Sequence, residues 1–174
     1  MEALNKRQTS REFSSEQLSE QVMSDLLWAA WGYNRPDQKK RTAPSSMNKQ
    51  EIDIYVALQT GLYVYNAEKN ILEQVHKEDI RAKTGIQEFV AKAPLTIVFV
   101  ADYSRMSNGD DHQKEVTSNT DAAFISQNVY LYCASENLAT GIRAYVNREE
   151  LHKAMNLKPE QHITLAQSVG QFSK

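Results

Sequence analysis

The 174-residue chain holds one cysteine, Cys133. A lone thiol excludes an intrachain disulfide and a cysteine-based zinc cluster. Cys133 lies in the apolar run NVYLYCA and reads as a small buried hydrophobe rather than a nucleophile. No apolar run reaches about 18 residues, so no transmembrane helix is expected. No signal peptide is visible, which makes the cytoplasm the expected compartment. Excess charge is also missing. Against 22 Asp and Glu stand 20 Lys and Arg, for a net charge of -2. That balance gives no general attraction to nucleic acid or to an anionic membrane, and neither is expected as a partner. HExxH and GxSxG are absent, as are GxGxxG and GxxxxGK[ST]. Zincin, α/β-hydrolase, dinucleotide-fingerprint and P-loop devices are therefore not in play. The four histidines, His76, His112, His152 and His162, show no metal-type spacing.

What is present suits a globular chain: 41% apolar and 24% charged residues. Residues 1–174 read as a single domain. Residues 3–9 can form a short helix. SSEQLSEQVMSDLLWAAWGY (14–33) reads as a helix with a capping box at Ser14 and Gln17. The polar segment 34–50 reads as a long loop, of the kind that is functional or mobile. EIDIYVAL (51–58) alternates, with Ile52, Ile54, Val56 and Leu58 inward and Asp53 and Tyr55 outward. Leu62–Tyr65 and Ile71–Val75 read as a hairpin, and residues 78–83 and 86–92 as short helices split at Gly85. APLTIVFVADY (93–103) reads as the central strand. A polar loop then leads to a long helix near 119–138. A short extended piece at 141–146, a helix capped by Asn147, and a last strand at 161–171 complete the chain. Such an order argues for α+β.

Two stretches invite a ligand. In KRQTSR (6–11), Arg7, Gln8, Thr9 and Arg11 could grip a phosphate through forked N–H donors, or could simply be a solvated helix end. In RTAPSSMNKQ (41–50), two serines and an asparagine precede the strand. Ser45 or Ser46 as a nucleophile lacks support from any surrounding motif.

Four segments taken in order resemble the nitroreductase-like flavoproteins: RQTSREF (7–13), APSSMNKQ (43–50), ISQNVYLYCASENLATGIRAY (125–145) and ITLAQSVGQ (163–171). The resemblance implies an α+β fold with a central, mostly antiparallel sheet flanked by helices. It also implies a homodimer with flavin at the interface. FMN would be the cofactor and NADH or NADPH the reductant. By position, Arg7, Gln8, Thr9 and Arg11 would take the FMN phosphate and the pyrimidine side of the ring. Pro44, Ser45, Ser46 and Asn48 would cover the partner's flavin. Arg143 and Ala144 would approach the reactive N5 edge, and Lys174 the phosphate. No protein side chain would act as a catalytic residue, because the flavin carries the redox chemistry. The implied reaction is ping-pong hydride transfer from NAD(P)H to FMN, then to a small aromatic or quinone-like acceptor. A flavin-binding or regulatory protein with little turnover is the alternative. Trp28 and Trp31 are candidate interface anchors. Against the family pattern, Gln8 and Thr9 stand for Arg and Ser, Glu51 and Ile52 follow Gln50 where Pro-Trp is common, and Ala144 replaces a frequent Gly.

Overall fold

A computed structural model describes residues 1–107 and 109–173. Six strands form one antiparallel sheet. They are β3 (Ile52–Leu58), β4 (Gly61–Asn66), β5 (Ile71–His76), β6 (Leu95–Asp102), β7 (Ala139–Arg143) and β8 (Gln161–Gly170), in the order β5-β4-β3-β6-β8-β7. The continuous apolar run of β6 is explained by its place. It pairs with β3 on one side and β8 on the other, and both of its faces are covered.

One face carries α2 (Glu20–Trp31) and α3 (Asp111–Ser135). There Ile52, Ile54, Val56, Ile97 and Phe99 pack with Leu26, Trp31, Ile125 and Cys133. On the other face Tyr55, Val98, Val100 and Ala166 meet Ile80 and, from α4 (Arg148–Ala154), Leu151. This second layer corrects the outward placement of Tyr55, which it buries. It also explains why simple alternation fails in β3: a strand with both faces covered has no polar side.

The helix expected from Ser14 begins later, at Glu20. Its cap is Ser19, whose hydroxyl accepts the Val22 amide at 3.3 Å. After a short helix, α1 (Glu2–Lys6), residues 7–18 run as an irregular strap instead. The Ser10 amide donates to Thr140 O, the Ser14 amide donates to Gln171 O, and Phe13 and Leu18 are both buried. Helix α3 starts earlier than residue 119. Its first turn, in DDHQKEV, has no apolar rhythm, but Asp110 and Gln113 form a reciprocal capping box. Its buried side then runs through Ser118, Asp121, Ala122, Ile125, Val129, Tyr130 and Cys133, a helical spacing. The loop at 34–50 is partly ordered by a small hairpin of β1 (Tyr33–Arg35) and β2 (Lys40–Arg41). Both short helices flanking Gly85 are single 3₁₀ turns, Arg81–Thr84 and Glu88–Ala91. The Asn147 cap is as expected, its side chain accepting the Glu150 amide. Burial pushes the Cys133 thiol up to about 12. Among the described residues no helix is long and apolar enough to cross a membrane.

Candidate functional site

The strap carries the first group of expected site residues along the edge strand β7. Beyond the Ser10–Thr140 bond, Tyr130 of α3 joins the two: its Oη accepts the Ile142 amide at 3.1 Å and lies 3.0 Å from Thr9 Oγ1. Arg7 lies over the Tyr130 ring at 5.2 Å. Gly141 makes the close approach possible. A Cβ there would stand 2.6 Å from Ser10 O. Arg7, Gln8, Tyr130, Asn137, Leu138 and Phe172 line a cavity of about 370 Å³. Arg11 lines a separate pocket with Glu88, Phe89 and Lys92. Neither Arg7 nor Arg11 has a carboxylate within ion-pair distance among the described residues. Their charge is available to an anion.

Arg143 ends β7, and its side chain turns inward. The residue is 7% exposed. Its guanidinium donates to Thr84 O at 3.1 Å, Thr84 Oγ1 at 3.0 Å and Ser168 Oγ at 2.9 Å. Burial pulls it down to about 10, so it stays charged at neutral pH with no carboxylate beside it. The buried Gln87 Oε1 nearby has no donor among the described residues. Three of its five N–H donors are held by Thr84 and Ser168, so a role of Arg143 toward a ligand falls chiefly to its backbone or its charge. Ala144 follows at the surface.

The Pro44–Asn48 loop sits elsewhere. Met47, Asn48 and Gln50 all have left-handed backbone, with φ of 53°, 56° and 51°. Each such residue costs roughly 1–2 kcal/mol and persists only where neighbours fix it. Here the Gln50 amide donates to Ser45 Oγ at 3.0 Å, and the Ser46 amide donates to Asp121 Oδ2 at 2.8 Å. Arg41 Nε donates to Gln50 Oε1 at 2.7 Å, and Arg41 lies over Trp31 and Tyr33. The Ser45 hydroxyl thus accepts a backbone amide and Ser46 engages Asp121 through its own backbone amide, and among the described residues no histidine bonds either hydroxyl as a nucleophile needs. Trp31 is a core residue, its Nε1 donating to Ile52 O, whereas Trp28 is 46% exposed. Lys174 lies outside the described residues.

Within one chain the strap and the loop do not meet. Their anchors on α3, Tyr130 and Asp121, are separated by about 14 Å of helix. Tyr130, Asp121, Gly141 and Thr84 were not among the residues singled out from the sequence. Asp121 did carry a signal, as a carboxylate falling in the apolar rhythm of its helix.

The profile of the Nitroreductase family matches residues 4–171. The chain belongs to the nitroreductase family. A Methanocaldococcus jannaschii protein carried under the name nitroreductase is 27% identical over 161 residues, 85% of this chain and 80% of that protein. A crystal structure of a Ralstonia eutropha JMP134 protein described as a nitroreductase superposes with a TM-score of 0.95 at 40% identity, covering 100% of this chain and 83% of that one. A Desulfovibrio desulfuricans nitroreductase-type structure determined with FMN shares the fold, with a TM-score of 0.71, 20% identity and coverage of 99% and 85%. Family membership makes the chain an oxidoreductase by class. The antiparallel sheet between helical layers is the fold of that family.

Proposed function

We propose that this nitroreductase-family chain is an FMN-dependent oxidoreductase that works as a homodimer. In this reading NADH or NADPH reduces bound FMN, which then reduces a small aromatic or quinone-like acceptor. The observation that carries the reading is a pair of cations, Arg7 and Arg11, with no carboxylate partner among the described residues, on a strap pinned along β7. The donor set suits FMN. Two arginines, the Gln8 amide and the Thr9 hydroxyl match a phosphate and the polar edge of a flavin ring. When bound, FMN supplies the two-electron chemistry.

The protein's own work is to orient and to enclose. Arg7 and Arg11, which line separate pockets, would between them take the phosphate and the pyrimidine side of the ring, and Arg143 and Ala144 the edge at the end of β7. Pro44, Ser45, Ser46 and Asn48 would close the site from the partner. The separation of strap and loop within one chain favours a dimer in which two α3 helices cross between Asp121 and Tyr130. An exposed stripe of Val116, Thr120, Ala123, Phe124 and Gln127 runs through that stretch, with Val116 53% and Phe124 47% exposed. Unpartnered apolar residues at helical spacing are what an isologous interface buries.

Purified protein should be yellow, and stopped-flow mixing with NADH or NADPH should bleach the flavin rapidly. Bound flavin that does not bleach with either nicotinamide would favour the alternative, a flavin-binding protein without turnover. A colourless protein that takes up no added FMN would overturn both.

A further inference from the structure

Behind the Ser45–Gln50 loop two acidic side chains are shut in together. Glu51 is 0% exposed, and neither of its carboxyl oxygens meets a donor among the described residues. Asp121, on the buried side of α3, is 3% exposed and holds the Ser46 amide. The charged groups facing Glu51 are Asp121 from α3 and Arg105 from the turn after β6. Arg105 is engaged elsewhere: its Nη1 donates to Gln50 O, its Nη2 pairs with Asp53 and its Nε with Asp102. Arg41, the other cation at the foot of the loop, donates to Trp31 O and Gln50 Oε1. Among the described residues no group of three or more acidic, histidine or cysteine side chains is placed to hold a metal ion.

A buried carboxylate that meets no well-formed donor and faces a second carboxylate is electrostatically costly. One proton removes the conflict. As a neutral acid Glu51 has an O–H to donate, and Asp121 has the lone pairs to accept it. One negative charge then remains, and the Ser46 amide already points at it.

We propose that Glu51 is a positioning residue, sharing one proton with Asp121, and that this proton fixes the loop presenting Ser45, Ser46 and Asn48. Burial pushes the Glu51 carboxyl up to about 7; its own nearby backbone amide opposes the rise, Asp121 adds to it, and Arg105 opposes it more weakly. The direction of the pH response follows. Because the folded value lies above the ordinary 4.5, the folded chain holds a proton that the unfolded chain has lost. The contribution is complete below about 4.5, declines as pH rises, and is gone above about 7. Past that point two negative charges face each other. Asp121 then loses its fixed position, and the Ser46 amide loses its anchor. Three left-handed residues make this loop the segment most ready to relax.

The proton itself is independent of the flavin reading; its effect on cofactor enclosure rests on that reading. Two measurements on the full-length protein as purified test it. Carbon-13 titration of the Glu51 carboxyl, assigned through its bonds, should show a midpoint near neutrality; a midpoint in the ordinary carboxylate range would overturn the proposal. Hydrogen exchange of the Ser46 amide, corrected for intrinsic chemistry, should lose protection by about tenfold per pH unit above the midpoint. In Glu51→Gln, whose amide still donates to Asp121 and cannot ionise, that loss should vanish. Equal pH slopes in wild type and E51Q would also overturn it. A chain that binds no FMN would still give both readouts, so this proposal and the cofactor assignment fail separately. In a flavin-loaded protein, FMN affinity should fall above pH 7 in wild type and stay level in E51Q.

Discussion

Gly141→Ala is the sharpest available probe of the strap. The added methyl would begin 2.6 Å from Ser10 O and 3.6 Å from Thr9 Cγ2. A comfortable carbon–oxygen contact is about 3.3 Å or more, so strap and β7 must part by roughly 0.7 Å. The opposing atom is backbone, not the end of a flexible side chain, so the whole strap moves. The Ser10–Thr140 bond, 2.9 Å in the structure, is stretched or lost at about 1 kcal/mol. Forcing a methyl into a closed contact adds about 1–3 kcal/mol. A strap that stays docked would therefore cost about 2–4 kcal/mol, read as a shift in the urea midpoint at unchanged slope. A strap that peels away would cost less in stability but would carry Arg7 and Arg11 with it. FMN retained through repeated gel filtration would then fall at least tenfold, on the order of 1.4 kcal/mol. Thr9→Val serves as the reference for stability alone, because it removes the hydroxyl contact to Tyr130 and leaves the backbone in place. A Gly141→Ala variant matching wild type within about 0.5 kcal/mol, with equal flavin retention, would show that the close approach neither stabilises the fold nor builds the site.

Arg7→Ala and Arg11→Ala should each weaken FMN retention by about 1.5–3 kcal/mol if each makes a charged hydrogen bond, measured by fluorescence on titration with FMN; unchanged affinity in both would move the phosphate elsewhere. Phe124→Asp should shift the protein from dimer to monomer on sizing and release flavin at the same time, whereas an unaltered elution volume would put the interface on another face. Asp110→Ala removes the cap and half of the capping box of α3, and should lower stability by about 1 kcal/mol by urea denaturation. Cys133, buried with its thiol raised to about 12, should resist alkylation in native protein and react only on unfolding, as mass spectrometry would record; fast native labelling would contradict its place in the core.

The sheet was legible because its signals are apolar rhythm and turn chemistry, both local. The strands expected at 51–58, 62–65, 71–75 and 93–103 fall on β3, β4, β5 and β6, with ends that differ by one or two residues. The helix starts at Glu20 rather than at residue 14 for a reason outside its own sequence. Ser14 and Gln17 make a sound capping box, but backbone bonds to β7 and to Gln171, with Phe13 and Leu18 buried, hold that stretch extended. Tertiary contacts override a local cap worth about 1 kcal/mol. The early start of α3 escaped notice for the converse reason. Its first turn faces water and polar neighbours, so periodicity has nothing to report there, and the Asp110–Gln113 box is the only sign.

The candidate site divides along the same line. Arg7, Arg11 and the paired serines could be picked out because they are polar clusters in a short span. Asp121 and Glu51 lie 70 positions apart in the chain. Their significance depends on both being buried and on the absence of a cation between them. No spacing rule links a residue just before a strand to one in the middle of a helix. Yet Glu51 stands where the resemblance would place a proline, a residue with neither charge nor proton to share. In the sequence that exchange is a bare departure from the family pattern. With Asp121 in view it acquires a role: the chain fixes its loop through a hydrogen-bonded acid pair, and so makes that loop sensitive to pH where a proline would leave it indifferent.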